Sequence, residues 1–296
     1  MKNDSFSALH PAVNFIFFVL VLGITMFGSD PVCLCLSLAA ALAYCVYRKG
    51  AGAWRFVLRC VLPLVLLTAV VNPAFNHRGA TILCYLPSGN PLTLESIVYG
   101  AFAGGMLAAV LCWFSGYNAV MTSDKHIYLF GRIIPSLSLV LSMALRFVPR
   151  FTAQMRETEA AQRGIGRGVH DAKGLQKLKN AVAVFSIMLT RSLEDAAGTS
   201  DSMRARGYGL PGRSAYSNYR FDTRDGLVLA WLCLSGGYVI AALAKGALHW
   251  GYFPVITSAV GAYAASARVC FFALCSSPLA INLWEDRKWT QLKSKI

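Results

Sequence analysis

Six apolar runs dominate the chain, at 12–27, 32–47, 56–71, 95–117, 227–243 and about 260–283. A helix crossing the hydrocarbon core needs about 20 mostly apolar residues, with roughly 17 as the working minimum, so each run reads as a membrane span or close to one. With 56% hydrophobic and only 14% charged residues, a water-soluble globule is excluded. The expected fold class is all-α, a polytopic membrane helical bundle of about six spans. Gly28-Ser29-Asp30-Pro31 turns the first two runs into a tight helical hairpin, and Asn72-Pro73 stops the third. In the fourth, Gly100, Gly104 and Ala108 recur four apart on one face, a spacing that lets helices approach closely.

The charges give a direction. There are 28 Lys plus Arg against 14 Asp plus Glu, a formal net charge of +14. Arg48, Lys49, Arg55 and Arg59 flank the second connection, whereas Arg78 stands alone in the third and Asp30 is the only charge in the first. Basic residues stay on the cytoplasmic side. The second connection is therefore expected inside, together with the amino terminus, the stretch after span four and the tail bearing Lys293 and Lys295; Lys245 falls on the other side. Topology accounts for the charge, and no nucleic-acid partner is expected, because the basic residues alternate with apolar stripes and lack an aromatic stacking platform. The start, Met1-Lys2-Asn3-Asp4, carries one basic residue and no clean cleavage site follows, so the first run is kept as a span. The nine cysteines form no CxxC pair and sit almost entirely in apolar runs, as small hydrophobes.

The chain thus divides into 1–120 with four spans, a cytoplasmic helical domain at 121–225, and 226–296 with the last two spans and a tail. Residues 121–225 are too long for a loop and too polar to cross. Within them, Ile133 to Phe151 is apolar but interrupted by Pro135 and closed by Arg146, Pro149 and Arg150, which suits a short helix lying against the bundle. Leu175, Leu178, Val182, Phe185 and Leu189 then recur at steps of three and four, with Lys177, Lys179 and Asn180 opposite. This is an amphipathic helix with one greasy side. It continues through Leu193 to Arg206, where Gly207 and Pro211 end it.

One pattern repeats: Arg163-Gly164-Ile165-Gly166 and Arg206-Gly207-Tyr208-Gly209 share Arg-Gly-hydrophobic-Gly, each after a helical stretch holding acids. Glycine just past a helix permits the left-handed terminating conformation, which would put each arginine in a last turn at the negative end of the dipole. A single such end is ordinary capping. A matched pair suggests a matched pair of receptors, because a guanidinium is always charged and its fork fits carboxylates in acidic sockets.

The sequence here resembles the transmembrane T components of energy-coupling factor (ECF) transporters, importers of vitamins and metal ions driven by ABC-type ATPases. The resemblance rests on Met203-Arg204-Ala205-Arg206-Gly207-Tyr208-Gly209, similar to the family's second Ala-Arg-Gly signature, and on Ala161-Gln162-Arg163-Gly164 where the first is expected. It includes Leu9-His10-Pro11 before the first span and covers essentially the whole chain. At the first signature Gln162 replaces the alanine, and Gly166-Arg167-Gly168 is a second candidate; Arg163 is preferred for its match to the repeat, with Arg167 kept. The resemblance implies a multi-pass protein of a bacterial or archaeal cell membrane, both termini cytoplasmic, with membrane lipid around its spans and neither catalytic residue nor cofactor. It implies that Ala161, Arg163 or Arg167, Gly164, Ala205, Arg206 and Gly207 dock two cytoplasmic ABC-type ATPases. It also implies a small membrane substrate-binding S component, whose natural contact is the stripe Leu175, Leu178, Val182, Phe185 and Leu189.

Two other classes are weighed. Asp124, His126, His170 and Asp171 are polar groups at the membrane surface that an integral membrane enzyme could use, but their spacing is poor, and no HExxH, CxxC or GxxxxGK(S/T) occurs. A self-contained channel or secondary transporter needs ionisable residues inside the spans. The runs hold almost none, and Arg268 is the one that stands well inside a run; it is expected near the cytoplasmic end or on a packing face. His77, in an outer turn, is expected to make turn hydrogen bonds.

Overall fold

Local chemistry sets where the helices begin. Helix α1 (Pro11–Phe27) opens on His10, whose Nδ1 accepts from Ala12 N–H at 3.3 Å, and α2 (Pro31–Lys49) opens on Asp30, which accepts from Val32 N–H at 3.1 Å. Each has proline at its first position, where a missing N–H costs nothing, and the expected hairpin turn lies between them. After Gly50 come α3 (Ala51–Phe56), a π-helical turn (Val57–Val61) and α4 (Leu62–Phe75). Pro63 lacks an N–H and crowds the turn before it, and the wider turn, closed by Leu62 N–H on Val57 O, relieves the strain on the ladder. Helices α5 (Leu94–Val120), α6 (Ser123–Gly131), α7 (Pro135–Gly164), α8 (Gly174–Ala205), α9 (Thr223–Ala244) and α10 (Ala262–Lys293) follow.

The computed structural model describes residues 4–85, 91–131, 134–170, 172–208, 219–255, 257–258 and 261–293. Met1, Lys2, Asn3, Ile133, Asp171, Gly209, Pro211 and Lys295, used above, lie outside them. Two units form, one from Met1–Lys125 with Tyr219–Ile296 and the other from His126–Asn218.

In the first unit, five stretches are long and apolar enough to cross a membrane among the described residues: Pro31–Arg48, Gly52–Phe75, Leu94–Val120, Thr223–Ala244 and Ala262–Lys293. Helix α1 is apolar at 17 residues. The protein is an all-α polytopic membrane protein, with two short antiparallel pairs in its connections, β1 (Ile82–Tyr85) with β2 (Pro91–Thr93) and β3 (Trp250–Gly251) with β4 (Thr257–Ser258). Two boundaries differ from the sequence reading. Helix α4 runs past Asn72-Pro73, because Asn76 N–H still reaches Asn72 O at 2.8 Å. Helix α10 runs past Leu283 through Glu285-Asp286-Arg287-Lys288, since charge ends an apolar run without ending a helix.

Phe6, Phe17, Phe18, Tyr44 and Trp113 form the buried centre, with Phe17 set edge-on to Phe6 at 5.2 Å and to Trp113 at 5.6 Å. Trp113 Nε1 donates to Ser37 Oγ at 3.0 Å, and Ser37 meets Thr25 Oγ1 at 2.9 Å, so the polar atoms there are paired. Cys33, Cys45, Cys112 and Cys275 are buried in the same core. The small residues of α5 seat α4: a Cβ on Gly100 would meet Thr68 O at 3.1 Å, and one on Gly104 would run into the Thr68 hydroxyl. Arg268 lies on a packing face, its Nε 2.6 Å from Oδ2 of Asp30, the α2 cap.

Candidate docking site

The second unit is built on α7 and α8. Helix α7 does not stop at Arg146, Pro149 or Arg150 as its sequence suggested but continues through Pro149 to Gly164. Proline removes one backbone hydrogen bond, and what outweighs it is a polar seam. Arg146, Arg150, Gln154 and Thr158 stand four apart on one face of α7. Arg150 Nη2 contacts Asp195 Oδ2 of α8 at 2.8 Å, and Gln154 Nε2 donates to the same oxygen at 3.2 Å. Gln154, Thr158 and Val184 are buried in this seam. Further along, Arg191 Nη1 lies 4.0 Å from Glu157 Oε2. Asn180, expected on the polar side of α8, is there but buried, with Nδ2 donating to Gly168 O at 3.0 Å. This bond ties α8 to the connection that follows α7.

The apolar stripe of α8 faces outward. Leu175 is 83% exposed and Phe185 54%, and Leu178, Val182, Leu189 and Leu193 are exposed as well. On α7, Val140, Leu141, Leu145, Val148 and Met155 are also exposed. The hairpin thus pairs polar groups along its seam, beside apolar residues such as Val184, and leaves a broad apolar surface outside, unlike a water-soluble hairpin. Exposed apolar surface of this extent marks a protein or membrane contact.

Both helix ends are Schellman caps. At the end of α7, Gly166 N–H donates to Arg163 O at 3.0 Å and Arg167 N–H to Gln162 O at 2.9 Å; at the end of α8, Gly207 N–H donates to Arg204 O at 3.0 Å and Tyr208 N–H to Met203 O at 3.0 Å. The left-handed residues are Gly166 (φ 78°) and Gly207 (φ 75°). Gly164 is therefore not the terminating glycine; it is the last helical residue, and Ala161 and Arg163 lie in the turn that it closes. Arg167 follows the left-handed glycine and is exposed, while Ala205 ends α8 and Arg206 is its cap.

Arg206 lines a cleft of about 530 Å³ together with Arg146, Arg150, Glu194, Asp195 and Ser202. Because the α8 end lies beside Met143, α7 carries Arg163 away from it by about 30 Å, at about 1.5 Å per residue. The two arginine-bearing tips stand at opposite ends of one hairpin. The cleft residues of α7 were missed in the sequence, although their four-residue spacing was a readable signal.

Among the described residues no three His, Cys, Asp or Glu side chains gather as a metal site. His170 Nδ1 lies 2.6 Å from Glu159 Oε1 in an exposed pair. In the turn after α4, Asn76 makes the turn hydrogen bond, Oδ1 accepting from Arg78 N–H at 3.3 Å, whereas His77 Nδ1 is buried without a partner among the described residues. The turn role expected of His77 thus belongs to its neighbour.

No family model matches the chain. It is similar to proteins named energy-coupling factor transporter transmembrane protein EcfT. It is 26% identical over 219 residues to that of Bacillus selenitireducens, covering 69% of this chain and 77% of the relative. It is 32% identical over 201 residues to that of Lacticaseibacillus paracasei, covering 64% and 74%. With that of Streptococcus thermophilus the identity is 25% over 182 residues, covering 58% and 69%.

Proposed function

The chain belongs to the family of energy-coupling factor transporter transmembrane proteins, and from that premise we propose that it is the T component that joins two cytoplasmic ABC-type ATPases to a small membrane S component capturing a vitamin or metal ion. The observation that carries this reading is the pair of arginine-bearing caps at opposite ends of the α7–α8 hairpin. One tip for each of two similar subunits is the use such an arrangement serves. Arg163, with Arg167 as the alternative, docks one ATPase and Arg206 the other, each fork pairing with a carboxylate. Ala161, Gly164, Ala205 and Gly207 shape the ends that present them.

The outward stripe Leu175, Leu178, Val182, Phe185 and Leu189 meets the S component, and the exposed side chains of α7 are a second contact. Closing of the ATP-bound dimer moves the tips, and the hairpin passes that movement to the surface holding the S component. A polar seam such as Arg150–Asp195 suits this, because its hydrogen bonds can re-form after a shift, whereas an interlocked apolar core resists one. The protein lies in a bacterial or archaeal cell membrane with both termini in the cytoplasm.

A tagged pull-down from mild detergent, read by mass spectrometry, tests the reading on the unaltered chain and on Arg163→Glu and Arg206→Glu. The unaltered chain should bring down ABC-type ATPases and a small membrane protein, and each variant should lose ATPase. A chain that comes down alone, or a double variant that keeps its ATPases at full yield, would sink it.

A further inference from the structure

The cleft beside Arg206 is walled by both helices of the hairpin, and its charges do not cancel. Of the five charged side chains on its wall, Arg150 and Asp195 satisfy each other at 2.8 Å, and Gln154 gives the same carboxylate a second hydrogen bond at 3.2 Å. That leaves Arg146 of α7, Arg206 at the cap of α8, and Glu194. Among the described residues neither Arg146 nor Arg206 pairs with a carboxylate, and Glu194 pairs with no cation.

The ring beside it limits the freedom of Arg146. Its guanidinium lies over Phe147, 5.8 Å from the ring centroid, and Phe147 stacks on Phe151 at 5.7 Å with 13° between the ring planes. A cation–π contact of this kind removes part of the side-chain freedom that an arginine otherwise loses on forming a pair with a partner.

Arg206 alone is poorly placed to hold an acid. It caps the end of α8, where the last carbonyls form the negative end of the helix dipole, and Glu194 adds a full negative charge to the same wall. A carboxylate brought to Arg206 meets both. A second guanidinium, supplied from α7, offsets them: two forks hold the two oxygens of one carboxylate more firmly than one does. Ser202, also on the wall, offers a hydroxyl donor.

We propose that Arg146 is a second docking arginine of the α8 tip, and that the cleft it shares with Arg206 takes an acidic side chain of the ATPase subunit bound there. The inference rests on the docking role proposed above. It makes the α8 end a site built by two helices, whose walls the Arg150–Asp195 contact holds together.

The test is a set of mutant cycles on ATPase affinity. The ATPases that come down with the unaltered chain are identified, purified and titrated onto the detergent-solubilised tagged chain. Arg146→Gln is compared alone and in the Arg163→Gln and Arg206→Gln backgrounds, glutamine removing the charge without offering a new ionic partner. Arg146→Gln should weaken capture about tenfold, and by a similar factor in the Arg163→Gln background. In the Arg206→Gln background it should weaken capture less than about twofold, because both arginines serve one site. Arg146→Lys, which keeps the charge but not the fork, should fall between. Glu194→Gln should tighten capture about twofold, since it takes a like charge away from the incoming acid. Unchanged capture by Arg146→Gln overturns the proposal, and a loss of anionic lipid from that variant would then give the cleft to a lipid phosphate. A tenfold weakening that persists in the Arg206→Gln background also overturns it, because the effect would not pass through the shared cleft. So does weaker capture by Glu194→Gln, which would assign the cleft to a basic group. An unaltered chain that captures no ATPase would sink the docking role itself.

Discussion

Arg163 and Arg204 hold the same place in the two helix ends: each carbonyl accepts, at 3.0 Å, the N–H of a left-handed glycine three residues on. Superposing the caps sets Arg206 against Ile165, two residues beyond the place of Arg163. The repeated Arg-Gly pair is thus out of register with the geometry that surrounds it. The tips share a cap, but their arginines stand at different positions on it, so the two ends present different local shapes.

The cap register makes a prediction that opposes two neighbouring glycines. Gly164 is helical and a Cβ there meets nothing within 4 Å, so Gly164→Ala should stabilise the end of α7 by about 0.5–1 kcal/mol. Gly166 also has open space but lies at φ 78°, and Gly166→Ala should cost about 1–2 kcal/mol. Amide exchange at Arg163 and Arg167 reads both. Equal protection in the two variants would refute the assignment of Gly166 as the cap.

A charge in the stripe should separate the two kinds of partner. Phe185→Asp puts a carboxylate where an apolar surface is to be covered, at a cost of about 2 kcal/mol or more, which weakens S-component capture about thirtyfold. ATPase capture should be unaffected, the inverse of Arg206→Glu. Mass spectrometry of the captured complexes decides it, and a Phe185→Asp chain that keeps the small membrane protein at full yield would assign the stripe to lipid.

The Asp30–Arg268 pair predicts non-additive stability. The Asp30 side chain is 1% exposed, so Arg268→Met strands its carboxylate and should cost about 3–5 kcal/mol. The double variant Asp30→Asn with Arg268→Met carries no buried charge and should be more stable than Arg268→Met alone. Thermal unfolding in detergent supplies the cycle. Strictly additive effects would show that the contact carries no coupling energy.

What was legible in the sequence and what was not divides on distance along the chain. The apolar runs, the α1–α2 turn, the α8 stripe and the α5 glycines are local patterns, and each lies where its period or spacing put it. The continuation of α7 was not legible from Pro149 alone, because partners on α8 such as Asp195 outweigh the breaker. The contacts of Ser7 with Lys125 and of His10 with Asp225 join segments 118 and 215 residues apart, and no local signal announces such a pair. At the tips, the repeat was read from residue names, whereas the caps register on the sign of φ, which a sequence of several nearby glycines leaves open.

His10 gives the bundle a pH dependence with a definite sign. Burial lowers its pKa from the ordinary value near 6.5, only partly opposed by Asp225. The neutral ring is also the form that caps α1, since Nδ1 must hold a lone pair to accept from Ala12 N–H. Between the lowered folded value and 6.5 the unfolded chain binds more protons than the folded one, so this contribution to stability is full above about pH 6.5 and is lost as pH falls through the folded value. His10→Asn keeps a good capping side chain without titrating. Thermal midpoints of the unaltered chain should fall between pH 7.5 and pH 5 more steeply than those of His10→Asn, and parallel curves would show that the imidazole at this cap does not sense pH.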